Sequence, residues 1–130
     1  MTRPTPWPHF GHDELKCQCG CGAQNMDADF MTKLEALRAA YGSPLKITSA
    51  YRCPGHNSRV SGSGTTGAHT TGKAVDIGIS GQDADRLLRL AVKMDFSGIG
   101  IKQHGSGRYL HLDMMPDGQG FARPITWTYK

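Results

Sequence analysis

No apolar run in the 130 residues approaches the roughly 18 that a membrane-crossing helix needs, so no stable membrane association is expected. Residues 1–10 hold three prolines and two aromatics where a secretory signal needs an apolar stretch. A chain made and first kept in the cytoplasm is therefore expected. Proline is scarce, at 7, and the 17 glycines do not recur every third residue, which excludes collagen-like and low-complexity organisation. There is no internal repeat. No strong charge of one sign is present either: 15 Lys and Arg against 11 Asp and Glu leave +4, spread along the chain. That mild balance suits an anionic partner but lacks the concentrated basic patch of a nucleic-acid module, so no nucleic acid is expected. The length predicts a single domain over 1–130.

Cysteine is present but lacks the common two-to-four-residue ligand gap. Cys17, Cys19 and Cys21 alternate with single residues, and Cys53 stands apart. In a reducing compartment such a cluster favours metal over disulfides. Three readings stay open: a structural zinc site, a disulfide to Cys53 that pins a loop, and free thiols. His12 is near enough in sequence to join the cysteines, whereas His9 reads as a bystander.

Residues 1–26 read as an irregular, Cys-rich lead-in anchored by Phe10 and Leu15. Phe30, Leu34, Leu37 and Tyr41 then recur at spacings of four, three and four, which predicts a helix over 27–41, capped by Asp27 and ended by Gly42 and Pro44. A strand is predicted over 45–51. Residues 52–72 carry five glycines and too few apolar side chains for a regular element. The period of two in KAVDIGI puts Val75, Ile77 and Ile79 on one face of a strand over 73–79 and Ala74, Asp76 and Gly78 on the other. Ser80 and Asp83 resemble a capping box opening a second helix, with Ala84, Leu87, Leu88, Ala91 and Val92 as its apolar stripe. Strands over 98–102 and 108–114 are expected to pair antiparallel, and Trp127 and Tyr129 to cover the end of the sheet. The class expected is α+β, a small, mainly antiparallel sheet with two principal helices.

Chemistry concentrates where these elements meet. Alternation in YLHLDM puts Tyr109, His111 and Asp113 on one face. If that strand lies beside the Asp76 strand, Asp76, His111 and Asp113 rise from the same side of the sheet. His69 ends the Gly-rich loop, where Gly67 and Gly72 allow its imidazole to fold back over the strand. Two imidazoles and a carboxylate suit a catalytic zinc, which takes three protein ligands and keeps its fourth position for water. Any one of these residues alone would more often be a satisfied or solvated side chain. Arg52 opens the loop toward the same pocket, where a bidentate grip on a carboxylate competes with simple solvation. His56 and Asn57 are placed to brace that loop, and Lys73 reads as solvated.

GAHTTGKAVDI resembles the Ser-x-His-x-x-Gly-x-Ala-x-Asp signature of the zinc peptidases that include D-alanyl-D-alanine carboxypeptidases and phage L-alanyl-D-glutamate endopeptidases. ITSAYRCPGHN is similar to the family's SGYR…HN stretch, and GRYLHLD to its second-ligand segment. The resemblance spans about residues 10–127. It implies zinc on His69, Asp76 and His111, a fold shared with the Hedgehog signalling domain, an Arg at position 52 that contacts substrate, and substrates drawn from bacterial peptidoglycan stem peptides. Gly67 departs from the motif's Ser. Arg108 stands where many members carry a carboxylate base, three residues before the second His, and cannot take a proton. Asp113 is the first substitute for that base and His104 the second, with no side-chain base as the third reading. The function expected is a zinc-dependent, monomeric peptidase acting on cell-wall peptides, as a phage endolysin or a virion-associated hydrolase. The alternative is a non-catalytic, metal-stabilised module that binds wall peptides.

Overall fold

The computed structural model describes residues 5–62 and 64–129. The first four residues of the lead-in, Ser63 in the Gly-rich loop and Lys130 in the tail lie outside them. A mixed five-stranded sheet, in the order β1-β2-β4-β3-β5, is built from β1 (Lys46–Ser49), β2 (Ala74–Gly78), β3 (Gly98–Lys102), β4 (Tyr109–Asp113) and β5 (Ile125–Thr128). β1, β2, β4 and β3 pair antiparallel, as expected for the two strands joined by the Gly-rich turn, β3 and β4, and β5 adds in parallel beside β3. The tail thus supplies a fifth strand that was not expected, with Trp127 within it and Tyr129 just beyond its end. Its burial pattern is almost wholly exposed, so it carries no apolar alternation to announce it.

The helices are α1 (His12–Leu15), α2 (Ala28–Tyr41), α3 (Pro54–Val60) and α4 (Gly81–Lys93), with one 3-10 turn over Ala68–Thr71. α2 forms as its spacing dictates. Asp27 accepts a hydrogen bond from the Phe30 amide at 2.9 Å, and Gly42 ends the helix in the left-handed region. The stripe of α4 is narrower than expected. Ala84, Leu87 and Ala91 are buried, but Val92 is 58% exposed, because it falls on the shoulder of a face only three residues wide. The Ser80 side chain makes no cap bond; Asp83 still places negative charge in the first turn, where the helix dipole favours it. α3 corrects the expectation of an irregular 52–72. Pro54 supplies a preset first-turn φ, and the segment is held by one buried polar residue, Asn57, rather than by an apolar face.

Phe30, Leu34 and Leu37 from α2 and Leu87 and Ala91 from α4 join Val75, Ile77, Ile99, Leu110 and Leu112 in one core on one face of the sheet. The strand period then forces Asp76, His111 and Asp113 onto the opposite face. Register aligns them in rows: Ser49, Asp76, His111, Gly100 and Trp127 lie side by side across five strands. Ala74, Asp113, Gly98 and Ile125 form the next row.

Candidate metal centre

His69 comes to the sheet from the 3-10 turn. Its Nδ1 lies 2.7 Å from the Ala50 carbonyl, a pure acceptor, so Nδ1 carries a proton and Nε2 is the nitrogen turned toward Asp76. That Nε2 is 3.3 Å from Asp76 Oδ1. His111 is arranged in mirror fashion: its Nε2 donates to Asp113 Oδ2 at 2.7 Å, and its Nδ1 lies 3.0 Å from the same Asp76 Oδ1. The two rings stand edge to face with centroids 5.2 Å apart. Ligand atoms of His69, Asp76 and His111 all fall within 4.8 Å of one another, and all three residues are buried. Zinc–nitrogen and zinc–oxygen bonds near 2.0–2.1 Å imply ligand atoms about 3.3 Å apart around a tetrahedral ion, so this N, N, O set fits zinc with one position open.

The electrostatics carry the same information. Burial would raise the Asp76 carboxyl, but hydrogen bonds from His111 and His69 outweigh it and hold the group well below the usual carboxylate range. Burial would lower His111, yet the carboxylates of Asp113 and Asp76 at its two nitrogens push it up. A proton on Nδ1 therefore occupies the place that a cation would take.

Asp113 is displaced from the role of water-holding base. Its side chain is wholly buried, Oδ2 also receives Arg123 Nη2 at 2.8 Å, and Oδ1 receives Arg123 Nε at 2.9 Å and the Met115 amide at 3.2 Å. With every acceptor direction engaged, it orients His111 and cannot reach water in the cleft. His104 sits exposed on the 103–107 turn, where Nε2 meets the Tyr129 carbonyl at 3.1 Å, and it is not among the residues that line the cleft. Arg123 was missed by sequence reasoning. It lies in the tail ten residues beyond Asp113, in a segment without periodicity or motif.

The cleft over the three residues has a volume of about 480 Å³, and Arg52, Tyr109, Arg123, Trp127 and Tyr129 contribute to its walls. Arg52 is held rigidly: Nε donates to Ser49 Oγ at 3.1 Å, Nη1 to Asn57 Oδ1 at 3.1 Å, and Nη2 lies 3.5 Å from Asp76 Oδ2. Among the described residues, three of the five N–H groups of the guanidinium are thereby engaged, and two remain to meet a ligand. Asn57 in turn donates to the Gly64 carbonyl at 2.5 Å, so it braces the loop as expected. Burial pushes both the Tyr109 and Tyr129 hydroxyls up, so both are neutral at ordinary pH; the two rings lie with centroids 5.3 Å apart.

A model of the family described as Peptidase M15 matches residues 8–113. The chain belongs to the peptidase M15 family. The match takes in His69, Asp76 and His111 and covers most of the chain. The M15 assignment and the His/Asp/His set together make this a zinc metallopeptidase acting on peptidoglycan-like substrates, on the α+β fold of that family. No curated protein matches the chain.

The cysteines form a separate group. No disulfide joins them: Cys17 Sγ lies 3.5 Å from Cys19 Sγ and 3.6 Å from Cys53 Sγ, far beyond a covalent S–S bond. Of the three readings left open for the cysteines, the disulfide to Cys53 is the one the structure does not form. His12 is buried within α1 and stands outside this group, and His9 pairs with Glu35 at 2.6 Å.

Proposed function

We propose that this M15 peptidase hydrolyses amide bonds in peptidoglycan stem peptides, with His69, Asp76 and His111 holding the catalytic zinc. The observation that carries the reading is the tautomer pair. The Ala50 carbonyl fixes one imidazole and the Asp113 carboxylate the other, and the two remaining ring nitrogens converge on Asp76. Zinc in that position supplies an acidified water and a polarised carbonyl.

The chain's own side chains supply the rest. Arg52 receives a substrate carboxylate on its two remaining N–H groups, consistent with stem peptides that carry several carboxylates. Tyr109, two residues before His111 on the same strand face, keeps its phenolic proton and donates it in a hydrogen bond to the carbonyl oxygen as charge develops there. Among the described residues, Asp76 is the only carboxylate in the cleft wall. The proton shed by the attacking water therefore passes through solvent in the open cleft to the leaving nitrogen. A positioned base is worth about 10²–10⁴-fold, and turnover is expected to be slower by that order than in a peptidase that has one.

We place the enzyme as a phage endolysin or a virion-associated wall hydrolase, a monomer acting on the wall after release from the cytoplasm. The support is the mild positive charge, matched to an anionic wall. The test is release of new amino groups from purified peptidoglycan. Metal-loaded protein is expected to release them and chelator to stop the release; loaded protein that binds wall fragments but liberates no amine from any wall chemotype would mark a binding module instead. Arg52→Ala is expected to raise KM with a smaller change in kcat, and Tyr109→Phe to lower kcat about 10–100-fold, with zinc content unchanged in both.

A further inference from the structure

Sulfur atoms of all four cysteines lie within 4.8 Å of one another, 36 residues of chain separating Cys17 from Cys53. Three of the contacts are nearly equal: Cys17 to Cys19 at 3.5 Å, Cys17 to Cys53 at 3.6 Å and Cys19 to Cys53 at 3.6 Å. Zinc–sulfur bonds of about 2.3 Å place sulfurs about 3.8 Å apart around a tetrahedral ion. The observed triangle is close to one face of that tetrahedron, and far from the separation of a disulfide.

The local backbone explains how alternate residues reach one point. Side chains two apart on a strand share a face but stand well apart along it. Here Gly20 and Gly22 take φ of +94° and +75°, a left-handed pair that curls CQCGCG on itself and turns the sulfurs inward. Two amides also point at sulfur: Cys53 N to Cys17 Sγ at 3.3 Å, and Ala23 N to Cys21 Sγ at 3.5 Å. Such donors favour a thiolate, the form that binds metal.

We propose that Cys17, Cys19, Cys21 and Cys53 form a second, structural metal site, taking zinc or a similar thiophilic divalent cation in a tetrahedral four-sulfur shell, which clamps the lead-in to the segment that carries Arg52. The clamp has a mechanical target. Cys53 is adjacent to Arg52 and caps α3. The lead-in already touches the same stretch through the Tyr51 amide to the Leu15 carbonyl at 3.2 Å and Gln18 Nε2 to the Thr48 carbonyl at 2.6 Å. An ion shared by Cys53 and the CQCGCG turn would complete this seam and hold the Arg52 backbone in register with His69, whose carbonyl accepts from the Arg52 amide at 3.1 Å.

The test counts metal and needs no turnover, so it stands or falls apart from the peptidase reading. Zinc-replete wild-type protein is expected to hold two zinc ions per chain, a His69→Ala/His111→Ala variant one, and a Cys19→Ser/Cys21→Ser variant one. Cobalt loaded into the histidine variant should give the intense visible bands and sulfur-to-cobalt charge transfer of a tetrahedral thiolate site. Since Cys→Ser protein can fail to fold, the cobalt spectrum of the histidine variant decides alone. In that variant, zinc should slow hydrogen exchange at the Tyr51 and Arg52 amides by about tenfold or more. One zinc in the wild type with no thiolate–cobalt band, or a cysteine variant that still holds two, overturns the site; unchanged exchange at Tyr51 and Arg52 overturns the clamp.

Discussion

At the scale of single residues, Asp113 shows how a motif position can be read correctly for type and wrongly for role. Its carboxylate shares a strand face with His111, as alternation requires, yet Arg123 arrives from the tail and takes both oxygens. Nothing in YLHLDM encodes that partner, and so the sequence supports a base where the fold builds an orienting group. Asp113→Asn keeps the shape but weakens the acceptor for His111 Nε2. It is expected to lower zinc affinity about 10–100-fold, measured by competition with a chromogenic chelator. A pH dependence follows with a definite sign. Burial would raise the Asp113 carboxyl, but His111 and Arg123 outweigh it and hold the group well below its ordinary value. Its stabilising contribution is thus complete above the unfolded value of about 3.9 and is lost as pH falls further toward the folded value. In metal-free protein the melting temperatures of wild type and Asp113→Asn should differ most near neutrality and converge below about pH 4.

At the scale of elements, β3 is shaped by what its neighbours must place against it. A Cβ on Gly100 would meet the Trp127 indole at 2.8 Å and the Tyr129 ring at 2.9 Å, so only glycine lets Trp127 of β5 and Tyr129 just after it lie over the sheet. Gly100→Ala is expected to cost about 1–3 kcal/mol in a denaturant melt and to loosen Trp127. The same elements show what was legible in the chain. α2, β2 and β4 carry strong periods, and β3 pairs as its place before a Gly-rich turn suggests. With β2 and β4 recognised, alternation puts Asp76 and His111 on one face, and the pairing of the two strands then sets them side by side. α3 and β5 were not legible, for opposite reasons. α3 is stabilised by Pro54 and the polar Asn57 without an apolar face, and β5 is an edge strand whose pairing with β3 depends on a long return of the chain. The walls of the cleft drawn from these two elements and the tail were therefore out of reach.

At the scale of the whole molecule, one face of a small sheet is spent on the apolar core and the other on a buried polar cluster. Among the described residues, no buried side-chain nitrogen or oxygen lacks a hydrogen-bond partner, so the polar face is assembled before an ion arrives. An ion that binds only the folded chain must then raise its stability by mass action. At free zinc 100-fold above the dissociation constant the gain is about 2.7 kcal/mol, a shift that calorimetry with zinc and with chelator would resolve. The row that joins Asp76, His111, Gly100 and Trp127 has one more consequence. The Trp127 ring lies 5.1 Å from the His111 imidazole, while Trp7 packs against the core elsewhere. A protonated imidazole quenches indole emission, and a zinc ion held by His111 would take the place of the proton on Nδ1. The cleft therefore contains its own optical gauge: in a Trp7→Phe protein, fluorescence should rise as the ion enters and fall again in acid, reporting occupancy of the centre without any added dye.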